Sequence, residues 1–221
     1  MKKLFLTVLG VFFASTLAFS QIVTASSYFN EVSDFYAGLY TYSCNISVDA
    51  DGKKMSGYAI HGRPQILRIN FSYPRGQVVM FDGNLLQIYL PEQRTVLQQS
   101  VSLSTSDNDD ISPRGLSLFR RYYTIAFETT AEPVPLDEGS GTKVVNLLLT
   151  RRAPSEAFES IKLSIDAETK LIRRIVATTP LGKVYRFDLT NYHLNVRITD
   201  NDLMYDPPAS VNAYNNFLFQ E

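Results

Sequence analysis

Apolar and polar positions change period several times along the chain, and each change marks an element. Tyr28, Phe29, Val32, Phe35, Tyr36 and Leu39 follow Ser26 and Ser27 at intervals that make one helical face, with Ser26 or Ser27 as N-cap. From Thr41 the period drops to two. Tyr42, Cys44, Ile46 and Val48 alternate with Thr41, Ser43, Asn45 and Ser47, and Asp49, Asp51 and Gly52 turn the chain. Similar runs predict strands over 55–61, 66–73, 77–81, 85–90 and 95–100. Asp82-Gly83, between two apolar runs, is a strong hairpin signal because both residues tolerate positive φ. Residues 101–114 lose the pattern and read as a loop. Phe119, Tyr122, Tyr123 and Ala126 then return to helical spacing and predict a second amphipathic helix. A loop over 131–142 precedes strands over 143–150, 158–165, 170–178 and 183–190, and the remainder is less regular, ending in a short edge strand. No fixed-period repeat is present, which argues against a solenoid or propeller. The expected fold is mainly β with helices, of α+β type: two antiparallel meanders, each preceded by a helix.

Residues 1–20 stand apart from this pattern. Lys2 and Lys3 precede an apolar run over 4–14, and Ala18 and Ser20 supply small residues before Gln21. This predicts a secretory signal peptide over 1–20, with cleavage after Ala18 as the alternative, and a single domain over 21–221. The run is shorter than the roughly 20 residues that span a bilayer. Cys44 lies far from the cleavage site, so no lipid anchor is expected, and the exported product is placed in the periplasm or outside the cell. Charged residues make up 19% of the chain and hydrophobic ones 45%, enough to bury a core. With 21 Lys and Arg against 22 Asp and Glu, no strong attraction to nucleic acid follows. One Cys and two His exclude a disulfide framework and a zinc cluster, and Cys44 reads as a buried small residue.

Motifs for chemistry fail on inspection. The run Asp107, Asn108, Asp109 and Asp110 lacks the Gly and Glu of a calcium loop, with Ser112 and Leu118 in their places, and reads as solvated. Asp200, Asp202 and Asp206 fail similarly, with Met204 at the fifth place. His61 and His193 have no metal-ligand spacing. Gly139-Ser140-Gly141 tips a polar loop and is no nucleophile elbow, and there is no phosphate loop. Neither catalysis nor a metal or cofactor is expected. What remains is apolar surface. Leu67, Ile69, Phe71 and Tyr73 share one face of a strand, with Arg68, Asn70 and Ser72 on the other. Leu86 with Ile88, Val144 with Leu148, and Leu171 with Ile175 and Ala177 add shorter faces. Two readings stand: a sheet packed fully on its helices, or a curled sheet enclosing a ligand cavity.

The segment HGRPQILRINFSYP over 61–74, followed by QVVMFDGNLLQIYLPE over 77–92, resembles the outer-membrane lipoprotein carrier family. Arg63, Pro64, Arg68, Phe71, Pro74, Asp82, Gly83 and Tyr89 match in order and spacing. Residues 171–175, Gly182, Phe187, Asn191, Asn195, Asp202-Leu203 and Pro207-Pro208 continue the likeness. The tryptophans that the family often places near Ile69 and Gln87 are missing, and the acidic loop at 107–110 has no counterpart. The resemblance implies an unclosed antiparallel β-barrel covered by an α-helical lid over an apolar cavity. It also implies a carrier that takes acylated lipoproteins from an inner-membrane lipoprotein-releasing transporter to an outer-membrane acceptor. Leu67, Ile69, Phe71, Tyr73 and Ile88 would line the cavity, with Phe119, Tyr122 and Tyr123 on the lid. By position, Arg63 would latch the lid to helix or loop backbone; as a residue alone it is equally a turn arginine beside Pro64. A monomer without cofactor is expected. The alternatives are a binder of another lipid or glycolipid on the same fold, a sensor of mislocalised lipoproteins, or an interaction module with no ligand cavity.

Overall fold

The computed structural model describes residues 23–63, 66–100 and 116–216. The leader with its cleavage site, Pro64 and the acidic run at 107–110 lie outside the described residues.

Helix α1 (Ala25–Gly38) starts two or three residues before the position expected. Thr24, rather than Ser26 or Ser27, is the N-cap: its Oγ1 accepts from the Ser27 amide at 3.1 Å, and Ser27 Oγ accepts from the Thr24 amide at 3.0 Å. This reciprocal box satisfies two amides that the helix start leaves free. Ser27 is therefore the third helical residue. Ala25, Tyr28, Phe29 and Val32 are buried on one side of α1.

Six strands follow as a meander: β1 (Thr41–Ala50), β2 (Lys53–Gly62), β3 (Ile66–Tyr73), β4 (Val78–Phe81), β5 (Leu85–Leu90) and β6 (Thr95–Ser100). The Asp82-Gly83 hairpin forms as its chemistry demands: Gly83 has φ 101°, and Asp82 Oδ1 accepts from the amides of Asn84 and Leu85. The next element differs from expectation. Helix α2 (Ser117–Tyr122) stops after six residues, and Tyr123 begins strand β7 (Tyr123–Phe127). The spacing of Phe119, Tyr122, Tyr123 and Ala126 suited a helix, but Tyr123, Ile125 and Phe127 also alternate. The open edge of β9 pairs with them, and this tertiary partner together with β-branched Thr124 and Ile125 decides the conformation.

A short β8 (Val134–Pro135) also pairs with β9 (Lys143–Arg151), after which β10 (Ser160–Asp166), β11 (Ile172–Thr178) and β12 (Val184–Leu194) complete the second meander. Helix α3 (Asp200–Leu203) and β13 (Asn212–Asn215) follow, and β13 joins the edge of β6 in parallel. The two meanders are one sheet. Its strand order is β13-β6-β5-β4-β3-β2-β1-β12-β11-β10-β9-β7, joined where β1 pairs with β12, and its ends do not meet among the described residues. The fold is an unclosed, mainly antiparallel barrel, with α1 packed on one side of the sheet and the short α3 on the other.

Most of the core lies under α1. Phe29, Val32, Leu147, Leu149 and Ile165 are wholly buried, packed with Val145, Ile161, Leu163, Ile172 and Ala177. On β9 it is thus Val145, Leu147 and Leu149 that meet the helix, rather than the expected face of Val144 and Leu148. Burying Phe29 and Val32 contributes about 1.5–3 kcal/mol each, so the first three turns of α1 are firmly docked. A smaller cluster of Cys44, Ile46, Val48, Ala59 and Phe71 continues the same side into the first meander, and Leu189 packs against both clusters.

Candidate ligand-binding face and its latch

Residues opposite one another in an antiparallel ladder share a face. Ile69 lies opposite Ala59 and Val79, and Val79 opposite Ile88. Leu67 lies opposite His61 and Phe81, and Phe81 opposite Leu86. Leu67, Ile69, Phe71 and Ile88 therefore form one apolar surface with Val79, Phe81 and Leu86. Because Ala59 opposes Cys44, this surface is on the α1 side of the sheet. Phe71 is buried and the others are half-buried. Tyr73 differs. A register shift between Ser56 and Gly57 places it opposite Ser56 at the strand end, where it is 65% exposed.

At its C-terminal end helix α1 is joined to β11 and β12 by a ring of two tyrosines and Ile172. The Ile172 amide donates to Tyr36 Oη at 2.9 Å, and Tyr192 Oη donates to the Ile172 carbonyl at 2.8 Å. With that proton committed, the Tyr36 hydroxyl donates to Tyr192 Oη at 3.3 Å and the three-residue ring closes. Burial pushes the Tyr36 hydroxyl up to about 12 and raises Tyr42 and Tyr192 as well, so all remain neutral donors. The Tyr42 ring meets Tyr36 edge-on, and His61 stacks on Tyr42 at 4.8 Å between centroids. Burial lowers the His61 pKa and keeps the ring neutral. Cys44, fully buried beside them, has its thiol pushed up to about 11 by burial and is no nucleophile.

Arg63 sits just past β2, at the end of α1. Its Nε donates to the Leu39 carbonyl at 3.1 Å and its Nη2 to the Ala37 carbonyl at 2.5 Å. The guanidinium lies over the Tyr40 ring, 4.3 Å from the centroid. A helix C-terminus leaves carbonyls without partners, and a guanidinium suits both their geometry and the negative end of the dipole. Arg63 thus fastens the last turn of α1 to the sheet. The residues expected on the lid separate. Phe119 on α2 packs on the core and meets Tyr123 at 5.8 Å, while Tyr122 is 40% exposed. Tyr123 is a buried strand residue whose hydroxyl donates to the Phe158 carbonyl, so it belongs to the sheet beneath the helices. Arg120 ties α2 to α1 through Asn30 at 2.6 Å.

Two groups of residues carry contacts that periodicity does not reveal. Arg68, on the other face of β3, donates from Nη1 to the carbonyls of Asn201, Asp202 and Met204 and lies over Tyr205, fixing the C-terminal segment across that face. An arginine sharing an otherwise neutral strand face with Asn70 and Ser72 was the signal available. Tyr36 and Tyr192 lie 156 residues apart in sequence, and no local pattern links them. Among the described residues, no group of three His, Cys, Asp or Glu side chains could hold a metal ion.

The model of the family described as outer membrane lipoprotein carrier protein LolA matches residues 48–204, and the chain belongs to that family. By its description the family is one of lipoprotein carriers. No curated protein matches the chain. Among solved structures, an uncharacterized conserved protein from Thermus thermophilus is similar at TM-score 0.57 and 14% identity, over 85% of this chain and 98% of that one. MucB in the Pseudomonas aeruginosa MucA/MucB complex is similar at TM-score 0.53 and 15% identity, over 82% of this chain but 61% of that one. MucB alone gives TM-score 0.53 at 16% identity, over 85% of this chain and 65% of that one. No helix among the described residues is long and apolar enough to cross a membrane.

Proposed function

We propose that this protein is a periplasmic carrier, exported by its leader, that shields the acyl chains of lipoproteins between an inner-membrane releasing transporter and an outer-membrane acceptor. The observation that carries this reading is the latch. Arg63 holds the last turn of α1 by two hydrogen bonds to backbone carbonyls, beside the half-buried face of Leu67, Ile69 and Ile88. Burying an acyl chain gains about 0.8 kcal/mol per methylene, so a carrier needs a cover that opens for little. A few polar bonds at about 1–3 kcal/mol each meet that need. The work is binding rather than catalysis.

The test is extraction. The purified protein is expected to take up a triacylated lipoprotein from detergent micelles, and Ile88→Glu to reduce uptake at least about tenfold by putting a charge on the apolar face. Unchanged uptake by Ile88→Glu would place the ligand elsewhere. Native mass spectrometry of the protein from its source separates cargo classes by retained mass: an acylated protein supports the carrier, whereas a free lipid or glycolipid supports the alternative on the same fold.

A further inference from the structure

Two arginines five positions apart clamp segments of the chain to opposite faces of the sheet. Arg63 holds the last turn of α1 on the inner face. On the outer face, Arg68 Nη1 donates to the carbonyls of Asn201, Asp202 and Met204 at the end of α3, and its guanidinium lies 5.5 Å from the centroid of Tyr205, which meets Tyr89 at 5.8 Å. The chain reaches that face through two left-handed asparagines, a region Asn tolerates better than most residues. A bulge near the end of β12, where Ser43 lies opposite His193 but Asn45 opposite Thr190, is absorbed at Asn191, φ 52°, and sends Tyr192 toward α1 and His193 to the other side. Asn195, φ 51°, then turns residues 195–205 across the outer face.

The two clamped segments meet where α1 ends. Tyr40 and Thr41, which follow its last turn, hold residues 195 and 196 by three hydrogen bonds: the Tyr40 amide donates to Asn195 Oδ1 at 3.2 Å, the Asn195 amide to the Thr41 carbonyl at 2.7 Å, and the Thr41 hydroxyl to the Val196 carbonyl at 2.6 Å. Gly62, buried opposite Thr41 on β2, lies under Leu203: a Cβ there would stand 2.7 Å from Leu203 Cδ1. Three neutral bonds to the outer segment and two charge-assisted bonds from the Arg63 guanidinium are of the same order in strength, so the outer segment shares the hold on this end of α1 with the latch. Tyr40 serves both. Its amide faces Asn195, while its carbonyl accepts from the Arg63 amide and its ring lies under the guanidinium.

We infer that residues 195–205 are a release handle for α1: lifting them from the outer face withdraws Asn195 and Val196 from Tyr40 and Thr41 and loosens the latched end of the helix on the inner face. The coupling runs both ways, as any equilibrium coupling between two sites must. It stands whether or not the carrier reading holds. In a carrier it lets an acceptor free the cargo from outside, without entering the apolar face.

The full exported chain is followed by hydrogen exchange resolved by residue, with limited proteolysis beyond residue 196 as the reporter of the handle. Arg68→Glu sets a carboxylate against the three carbonyls of residues 201–204, so the handle leaves rather than loosens, and Arg68→Ala is the milder variant. Either is expected to quicken that cleavage and, on the opposite face, to speed exchange of the Leu39 amide at least about fivefold, the lower end of ordinary coupling between sites. The Tyr28 amide at the other end of α1, which donates to the Thr24 carbonyl, should keep its rate. Arg63→Leu is expected to quicken cleavage beyond residue 196 in return. Thr41→Val with Asn195→Gly removes the hydroxyl and the side-chain acceptor while suiting the strand and the positive φ, and in that background Arg68→Glu should lose most of its effect on Leu39. Faster cleavage with Leu39 at the parent rate overturns the inference, and so does unchanged cleavage in Arg68→Glu, since the arginine would then hold nothing. Tyr28 and Leu39 accelerating together in both Arg68 variants, or an undiminished effect in the Thr41→Val, Asn195→Gly background, overturns it too, because the loss would be global or carried by other residues.

Discussion

Replacing Arg63 by leucine removes the latch while keeping an apolar stem at the same place. The two hydrogen bonds from the guanidinium, at 3.1 and 2.5 Å, and the Tyr40 contact are lost, but the Arg63 amide still donates to the Tyr40 carbonyl at 3.1 Å and holds the strand end. A charged donor to a carbonyl is worth about 1.5–3 kcal/mol net, and an exposed cation–π contact about 0.5–1 kcal/mol. Because the Ala37 bond is solvent-exposed and screened, we expect a sum of about 2 kcal/mol, not the maximum. That loss falls on one turn. Phe29 and Val32 remain fully buried and keep the earlier turns docked. Opening of the last turn should therefore become about 30-fold more frequent, and the Leu39 amide, which donates to the Tyr36 carbonyl, should exchange its hydrogen faster by a similar factor. Amides opposite the buried strands should change far less. The assay is hydrogen exchange resolved by residue, paired with the release rate of a fluorescent acylated peptide, which should rise in step. If Leu39 exchanges at the parent rate, Arg63 is a turn arginine and the latch argument fails. If every amide accelerates together, the loss is global and the lid has no independent opening.

Acidification should destabilise the fold through His61. Burial lowers its pKa below 6.5, so the unfolded chain takes up a proton that the folded one resists; the contribution is full above pH 6.5 and is lost as pH falls from there toward the folded value. Urea melts between about pH 7.5 and pH 5 should show this slope, and His61→Phe, which keeps the stack on Tyr42, should flatten it. Gly57→Ala places a Cβ against the Asn70 carbonyl and 2.9 Å from Phe71 Cα, forcing β2 and β3 apart, and should lower the thermal midpoint by roughly 5 °C; an unchanged midpoint refutes the close approach. Arg68→Ala removes the donor shared by three carbonyls of residues 201–204, so limited proteolysis beyond residue 196 should quicken about tenfold with the meander intact. Equal cleavage rates would show that β13 alone holds this segment.

Much of the fold was written in local pattern. The period-two runs located β1, β3, β5 and β6 to within two residues of their ends, because a half-buried strand must alternate whatever it packs on. Asp82-Gly83 formed its turn for a reason contained in those residues. The apolar face of Leu67, Ile69 and Phe71 was legible too, and the position of Arg63 was marked by resemblance to the family. Local pattern misled at Tyr123, where one spacing served both a helix and a strand and the vacant edge of β9 chose the strand. It misled again at Tyr73, whose place on the face was removed by a register shift that depends on the partner strand.

By itself the sequence determined the strand-rich class and the two runs of hairpins, since these follow from residue type and spacing along a few neighbouring positions. Only the tertiary structure decided that both meanders form one sheet, that the Arg63 guanidinium reaches the carbonyls ending α1, and that the bulge at Asn191 turns Tyr192 and His193 to opposite faces. Those outcomes depend on pairing between residues far apart along the chain, as with Ser43 and His193, and a contact of that kind leaves no period in the sequence.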